Sequence, residues 1–206
     1  MISGREALKA LREGNQRFVS DRRRDYGDNT ARRRALVAQQ EPFAIILGCS
    51  DARVPAELVF DQGLGDLFVI RVAGNIVAPS QVGIVEFAAE AFGTRLVVVL
   101  GHTHCGAIHA TLQQLARPWR EQSRNLSSIV DRIRPAVEDL LDGKIADVAE
   151  LEHRAVRANI RMSADHLRHG SEVLEQLIRK HELLVVGAEY SVDSGVVEFF
   201  DGVPPD

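Results

Sequence analysis

Four short apolar, largely β-branched runs punctuate the chain: "FAIILG" (43–48), "LFVIR" (67–71), "RLVVVLG" (95–101) and "LLVVGAEY" (183–190). None alternates cleanly between apolar and polar positions, so they read as strands of a parallel sheet covered on both faces. Between them the apolar spacing changes to three and four. This predicts helices over Pro55 to Phe60, Pro79 to Phe92 with a proline in the first turn, Cys105 to Leu115, Ser127 to Leu141, and Asp147 to His169. In the last of these, Val148, Leu151, Ala155, Ala158 and Met162 mark one buried stripe. Near the start, "REALKALREGNQRFV" sets Leu8, Leu11, Phe18 and Val19 among charges, as an amphipathic helix lying on another surface does. "VVEFF" (196–200) follows "SVDSG" closely enough to return as a hairpin, which makes it an antiparallel edge strand.

Strand and helix alternate, so the expected class is α/β. The expected architecture is a mostly parallel four-stranded sheet with an antiparallel edge strand, helices on both faces and an N-terminal helical arm. A length of 206 residues suits one domain, with 1–40 as the arm. Ligands of such sheets sit beyond the carboxyl ends of the strands. There the sequence places Cys49 after the first strand, Arg71 at the end of the second, His102 and Cys105 after the third, and Tyr190 at the end of the fourth.

Charge narrows the functional classes. A net charge of −4 gives no electrostatic case for nucleic acid or an anionic membrane surface. The arginine runs Arg22–Arg24 and Arg32–Arg34 accordingly read as solvated faces or ion pairs between subunits. The apolar runs fall far short of the ~20 residues that span a bilayer, and the charged N-terminus carries no secretory leader pattern. The expected compartment is the cytoplasm, where two cysteines are free, metal-binding or catalytic rather than joined in a disulfide.

The third strand runs into "GHTHCGA", with His102 and Cys105 three apart across a strand-to-helix turn. Cys49 joins them from a neighbouring strand end. Taken alone, a buried cysteine is an ordinary small hydrophobe; two cysteines and a histidine on adjoining strand ends make a zinc set with one coordination position left open. His104 and His109 are rival ligands, but His104 adjoins Cys105 and would need an awkward chelate. In "CSDARVP", alternation along an extended segment sets Cys49, Asp51 and Arg53 to one side. An aspartate there either accepts a hydrogen bond from water on the metal or becomes the fourth ligand. The fork of Arg53 decides between these by holding the carboxylate bidentately and keeping it ionised.

"CSDARVPAE", "RVAGN" and "GHTHCGA" resemble the β-class carbonic anhydrases in order and spacing, and "LREGNQRF" and "VVGAEYSVDSG" extend the resemblance over nearly the whole chain. The resemblance implies zinc-dependent hydration of CO2 to bicarbonate and a proton by metal-bound hydroxide, with Cys49, His102 and Cys105 as ligands and Asp51–Arg53 as the catalytic dyad. Asp51 enters the metal shell only in a closed state. The resemblance also implies that Gln40 hydrogen-bonds substrate in a partner subunit's site, that the Gly106 N–H donates opposite it, and that the chain self-associates as a homodimer or dimer of dimers. Some members resemble one another in a second, inhibitory bicarbonate pocket built of Trp, Arg and Tyr. Here Arg71 and Tyr190 match, but Ile46 stands in the tryptophan's place, so the pocket is expected to be absent or weak. Ala52 replaces a common serine. The rivals are a CS2 or COS hydrolase on the same scaffold, a non-catalytic zinc-stabilised bicarbonate sensor, and a redox protein using Cys49 and Cys105, which lacks a CxxC.

Overall fold

The structure is a computed structural model that describes residues 2–27, 29–116, 123–143 and 145–205. Its sheet has five strands, β1 (Ala44–Gly48), β2 (Leu67–Arg71), β3 (Leu96–His102), β4 (Leu184–Tyr190) and β5 (Val197–Asp201), in the order β2-β1-β3-β4-β5. The first four are parallel and β5 runs antiparallel to β4, as the apolar runs and the short "SVDSG" return predict. Their continuous apolar character is explained by burial on both faces: every residue of β1 and of β3 is buried.

Around the sheet lie α1 (Gly4–Val19), α2 (Asn29–Ala35), α3 (Ala56–Val59), α4 (Pro79–Ala91), α5 (Gly106–Ala116), α6 (Arg124–Val137), α7 (Val148–His169) and α8 (Glu172–Arg179). Odd and even strand positions separate two cores. Ile45, Leu47, Val97 and Val99 face one layer, which holds Val85 and Ala88 of α4, Ile108 of α5, Ile133 of α6 and Ile160 and Leu167 of α7. Ile46, Val98, Leu100 and Ala188 face the other, built on Ala7, Leu8 and Leu11 of α1 and on Val59 and Phe60. Cys49 continues the parity of Ile45 and Leu47 and joins the first core.

The apolar spacing gives no signal for α2, no residue of which is buried. α8 does carry Val173, Leu174, Leu177 and Ile178 at helical spacing, a short stripe absent from the helices predicted above, and Leu174, Leu177 and Ile178 pack on the first core. The predicted start at Ser127 moves back to Arg124, where Ser123 caps the helix, its hydroxyl accepting from Asn125 N at 3.3 Å. The arginine runs stand as expected on the surface: Arg32 pairs with Asp66 at 2.7 Å, and Arg22 to Arg24 are exposed.

α1 begins in a capping box, with Ser3 N donating to Glu6 Oε2 at 2.8 Å. It is pinned at its far end by a buried polar residue. Asn15 Nδ2 donates to Val59 O at 3.1 Å and Gly195 O at 2.8 Å, while its Oδ1 accepts from Val197 N at 2.8 Å. One side chain thus ties α1 to the end of α3 and to the β4–β5 return. The preceding Gly14 permits the approach, since a Cβ there would stand 1.8 Å from Phe60 O.

Asn15→Ala leaves two carbonyls and one amide unpaired in the interior. The expected loss is about 2–4 kcal/mol, read in calorimetry as a Tm lower by roughly 5–10 °C. An unchanged Tm would show that α1 docks through its apolar face alone.

Candidate metal centre

Two neighbouring parallel strand ends build the site. Cys49 lies just past β1, His102 is the last residue of β3, and Cys105 sits in the turn between β3 and α5. All three are buried, and their ligand atoms lie within 4.8 Å of one another. His102 is oriented by its own turn: Nδ1 lies 2.8 Å from Thr103 O, so Nδ1 carries the proton and Nε2 presents a lone pair. Nε2 is buried and has no hydrogen-bond partner among the described residues. Both cysteines are free thiols.

The rival histidines point elsewhere. His104 takes a left-handed conformation, φ 57°, which turns its side chain outward to Asp193 Oδ2 at 3.0 Å. His109 Nδ1 meets Glu152 Oε1 at 2.5 Å and its Nε2 meets Gln113 at 2.8 Å. Neither joins the sulfurs.

Asp51 and Arg53 pair as expected, by a different geometry. The segment after Cys49 is a tight turn rather than an extended run, closed by Val54 N donating to Asp51 O at 3.0 Å. The aspartate drives this, because its Oδ1 accepts from Arg53 N at 3.0 Å, an Asx-type turn that extended alternation cannot provide. The side chain of Arg53 then folds back, with Nε on Oδ1 at 2.9 Å and Nη2 on Oδ2 at 2.7 Å. Nη2 of Arg53 also reaches His104 O at 3.1 Å, linking this turn to the one that carries Cys105. Asp51 Oδ2 stands 3.9 Å from His102 Nε2, beside the cluster but not in it.

The remaining predicted residues divide. Arg71 splints the backbone of the first turn, its Nε donating to Cys49 O at 3.1 Å and its Nη2 to Asp51 O at 2.6 Å. Tyr190 is buried and its carbonyl accepts from Thr103 N at 3.0 Å; Ile46 is wholly buried in the core beneath α1. Gly106 opens α5, where backbone N–H groups lack intrahelical acceptors, and a Cβ there would meet nothing within 4 Å. Gln40 is exposed in the stretch before β1, beside Leu36, Val37 and Phe92, and its own chain does not bring it to the cluster. The spacing also gave no sign of a largely apolar cavity of about 360 Å³ beside Gly106, lined by Ala73, Ala107, Ala110, Leu126 and Ile129.

The electrostatics follow from contact. The hydrogen bond from the Cys105 thiol, with the backbone N–H groups of Gly74 and Asp51, holds Cys49 well below the ordinary thiol range. Donation to Cys49, with burial and the adjacent negative sulfur, pushes Cys105 far up. The pair therefore keeps one proton between two sulfurs, which is the position a cation can take. The Arg53 guanidinium holds the Asp51 carboxyl well below the usual carboxylate range.

Fold and site together define an α/β protein with a buried Cys–His–Cys cluster able to hold a metal ion, flanked by a clamped aspartate. The sequence profile of the carbonic anhydrase family matches residues 44–197, and the chain belongs to that enzyme family, in its β class. It is similar to carbonic anhydrase 2 of Mycobacterium tuberculosis, 36% identical over 92% of this chain and 89% of that protein. It is 35% identical to the carbonic anhydrase of Mycolicibacterium smegmatis, over 93% of this chain and 91% of that one. Among solved structures, the β-carbonic anhydrase CcaA superposes with a TM-score of 0.73 at 26% identity, over 96% of this chain and 93% of that chain. A tetrameric β-carbonic anhydrase of Sordaria macrospora shares the fold, with a TM-score of 0.72 at 23% identity over 84% of this chain and 87% of its own.

Proposed function

We propose that the protein catalyses the reversible, zinc-dependent hydration of CO2 to bicarbonate and a proton, with one Zn2+ per chain held by Cys49, His102 and Cys105. One observation carries the reading. The buried His102 Nε2 has no partner among the described residues, its tautomer is fixed from the other side by Thr103, and two sulfurs stand within 4.8 Å. One nitrogen and two sulfur donors suit Zn2+ and leave a fourth direction open. When bound there, zinc supplies a Lewis acid that makes a water nucleophilic near neutral pH.

The chain's own groups do the rest. Asp51, ionised beside the cluster, accepts the proton of the attacking water in a hydrogen bond and so aims a lone pair at the carbon of CO2. Arg53 occupies both carboxylate oxygens of Asp51 and holds it off the metal ligands; a slackened clamp would free Asp51 for the closed arrangement. The N–H of Gly106 is placed to donate to a substrate oxygen, and the apolar cavity beside it suits an uncharged linear molecule better than the anion that leaves.

Gln40 is the second donor in this reading, contributed by another copy of the chain, since its own cluster is out of reach. The working unit is therefore a homodimer or a dimer of dimers, with the arm 1–40 at the contact and each chain one domain. Among the described residues no helix is long and apolar enough to cross a membrane. Free thiols and the reaction's substrates fit a cytoplasmic setting.

Purified protein should carry one zinc per chain by atomic emission. Cys49→Ser should weaken zinc binding by more than the roughly 10–100-fold that loss of an outer hydrogen-bond partner costs. Zinc-loaded protein with no CO2 hydration in stopped flow at pH 8.5 would sink the reading. Asp51→Asn should keep the metal and lower kcat by roughly 100-fold, while Arg53→Met should lower it with Asp51 intact; equal turnover of all three proteins would remove the dyad from the mechanism. Because Arg71 is engaged with two backbone carbonyls and Ile46 is sealed in the core, bicarbonate should inhibit without cooperativity, and a sigmoidal inhibition curve would contradict this.

A further inference from the structure

Asn159, in the middle of α7, is 2% exposed and has no part in the site as derived above. Its Nδ2 donates to Gly74 O at 2.7 Å. Gly74 belongs to a single 3-10 turn, Ala73–Asn75, that follows β2, and its own N–H donates to Cys49 Sγ at 3.3 Å. The turn is closed by Asn75 N donating to Val72 O at 3.0 Å, with Gly74 left-handed at φ 66° and ψ 23°. Glycine is required there on two counts: the conformation is poor for L side chains, and a Cβ would stand 2.9 Å from Ile133 Cδ1 and 3.1 Å from Ala107 Cβ. The peptide units on either side of Gly74 are thus anchored at opposite ends, by a side-chain amide on the carbonyl and by a sulfur on the N–H.

We propose that Asn159 is a positioning residue of the metal centre: by holding the Gly74 carbonyl it keeps the Gly74 N–H aimed at the Cys49 sulfur and so limits the charge that sulfur donates to a bound cation. This rests on the reading of Cys49 as a metal ligand. A thiolate that shares electron density with an N–H gives less to the metal, which stays a stronger acid toward water. With two thiolates in the donor set, that restraint acts where the ligands are most strongly donating. Neither Asn159 nor Gly74 touches substrate in this scheme, so the effect must show in the metal itself.

The test loads the full chain with Co2+ and reads the thiolate-to-cobalt charge-transfer band, together with zinc affinity by chelator competition. Four proteins are compared: wild type, Asn159→Leu, Asn159→Asp and Ser163→Ala. Leucine keeps the volume without the amide, and aspartate keeps the shape and loses the NH2. Ser163, one turn further along the same buried face, has no bond to Gly74 and controls for α7 packing.

Both Asn159 variants should move the band to lower energy and bind zinc no more weakly than wild type, since the freed sulfur is the stronger donor, while Ser163→Ala matches wild type. Should one Asn159 variant fail to fold, the other still decides. A band unchanged in a folded Asn159 variant, a weakened zinc affinity there, or an equal shift in Ser163→Ala would overturn the positioning role. A wild-type protein with no thiolate-to-cobalt band would instead overturn the reading of the centre, a different result in a different protein.

Discussion

A buried imidazole nitrogen with nothing to bond is a state that proteins avoid, since it forfeits roughly 1–3 kcal/mol of solvation. The loops around His102 are arranged to keep Nε2 in that state. Nδ1 is fixed to Thr103 O, and the strained left-handed turn at His104 swings the neighbouring histidine outward to Asp193. Cys49 and Cys105 are brought alongside from two other points of the sheet rim. Each of these features is hard to understand as packing alone and simple to understand as one vacant donor direction shared with two sulfurs.

Charge balance links this cluster to the turn beside it. Two thiolates would cancel a divalent cation held between them, as the Arg53 fork cancels Asp51 by holding both its oxygens. The site therefore places several charges near the core with no net charge to desolvate, which is the condition under which buried ions are tolerated. The same contacts transmit position. Arg53 bonds Asp51 and His104 O, while Arg71 bonds the carbonyls of Cys49 and Asp51, so the loops after β1 and β3 are tied to each other and to β2.

The sheet was readable because the central strands β1, β3 and β4 are buried almost throughout, which leaves continuous apolar runs that chance seldom places between helical patterns. The cluster was readable because strand ends converge, so "CSDARVP" and "GHTHCGA" had to meet. Less local facts left no mark. The Asp51 turn depends on one side chain accepting from Arg53 N, and alternation, a rule for extended chain, put the right pair together for the wrong reason. α2 buries nothing, so it shows no period. The tie of Asn159 to Gly74 spans 85 positions, and nothing around either residue announces the other.

That long-range tie depends on glycines in the strands. A Cβ at Gly101 would stand 2.5 Å from Ile160 Cδ1, and one at Gly187 would stand 2.7 Å from Ile160 Cγ2. Gly101 precedes His102 directly and pairs in register with Glu189, two positions along β4 from Gly187. The two bare backbone positions let Ile160 sink onto β3 and β4, and the adjacent Asn159 is thereby lowered far enough to reach Gly74. A methyl at either strand position would force Ile160 to shift. The close approach of α7 is in this sense part of the site: two glycines remote from the chemistry set how near a helix comes, and one residue on it then meets the turn behind a buried sulfur.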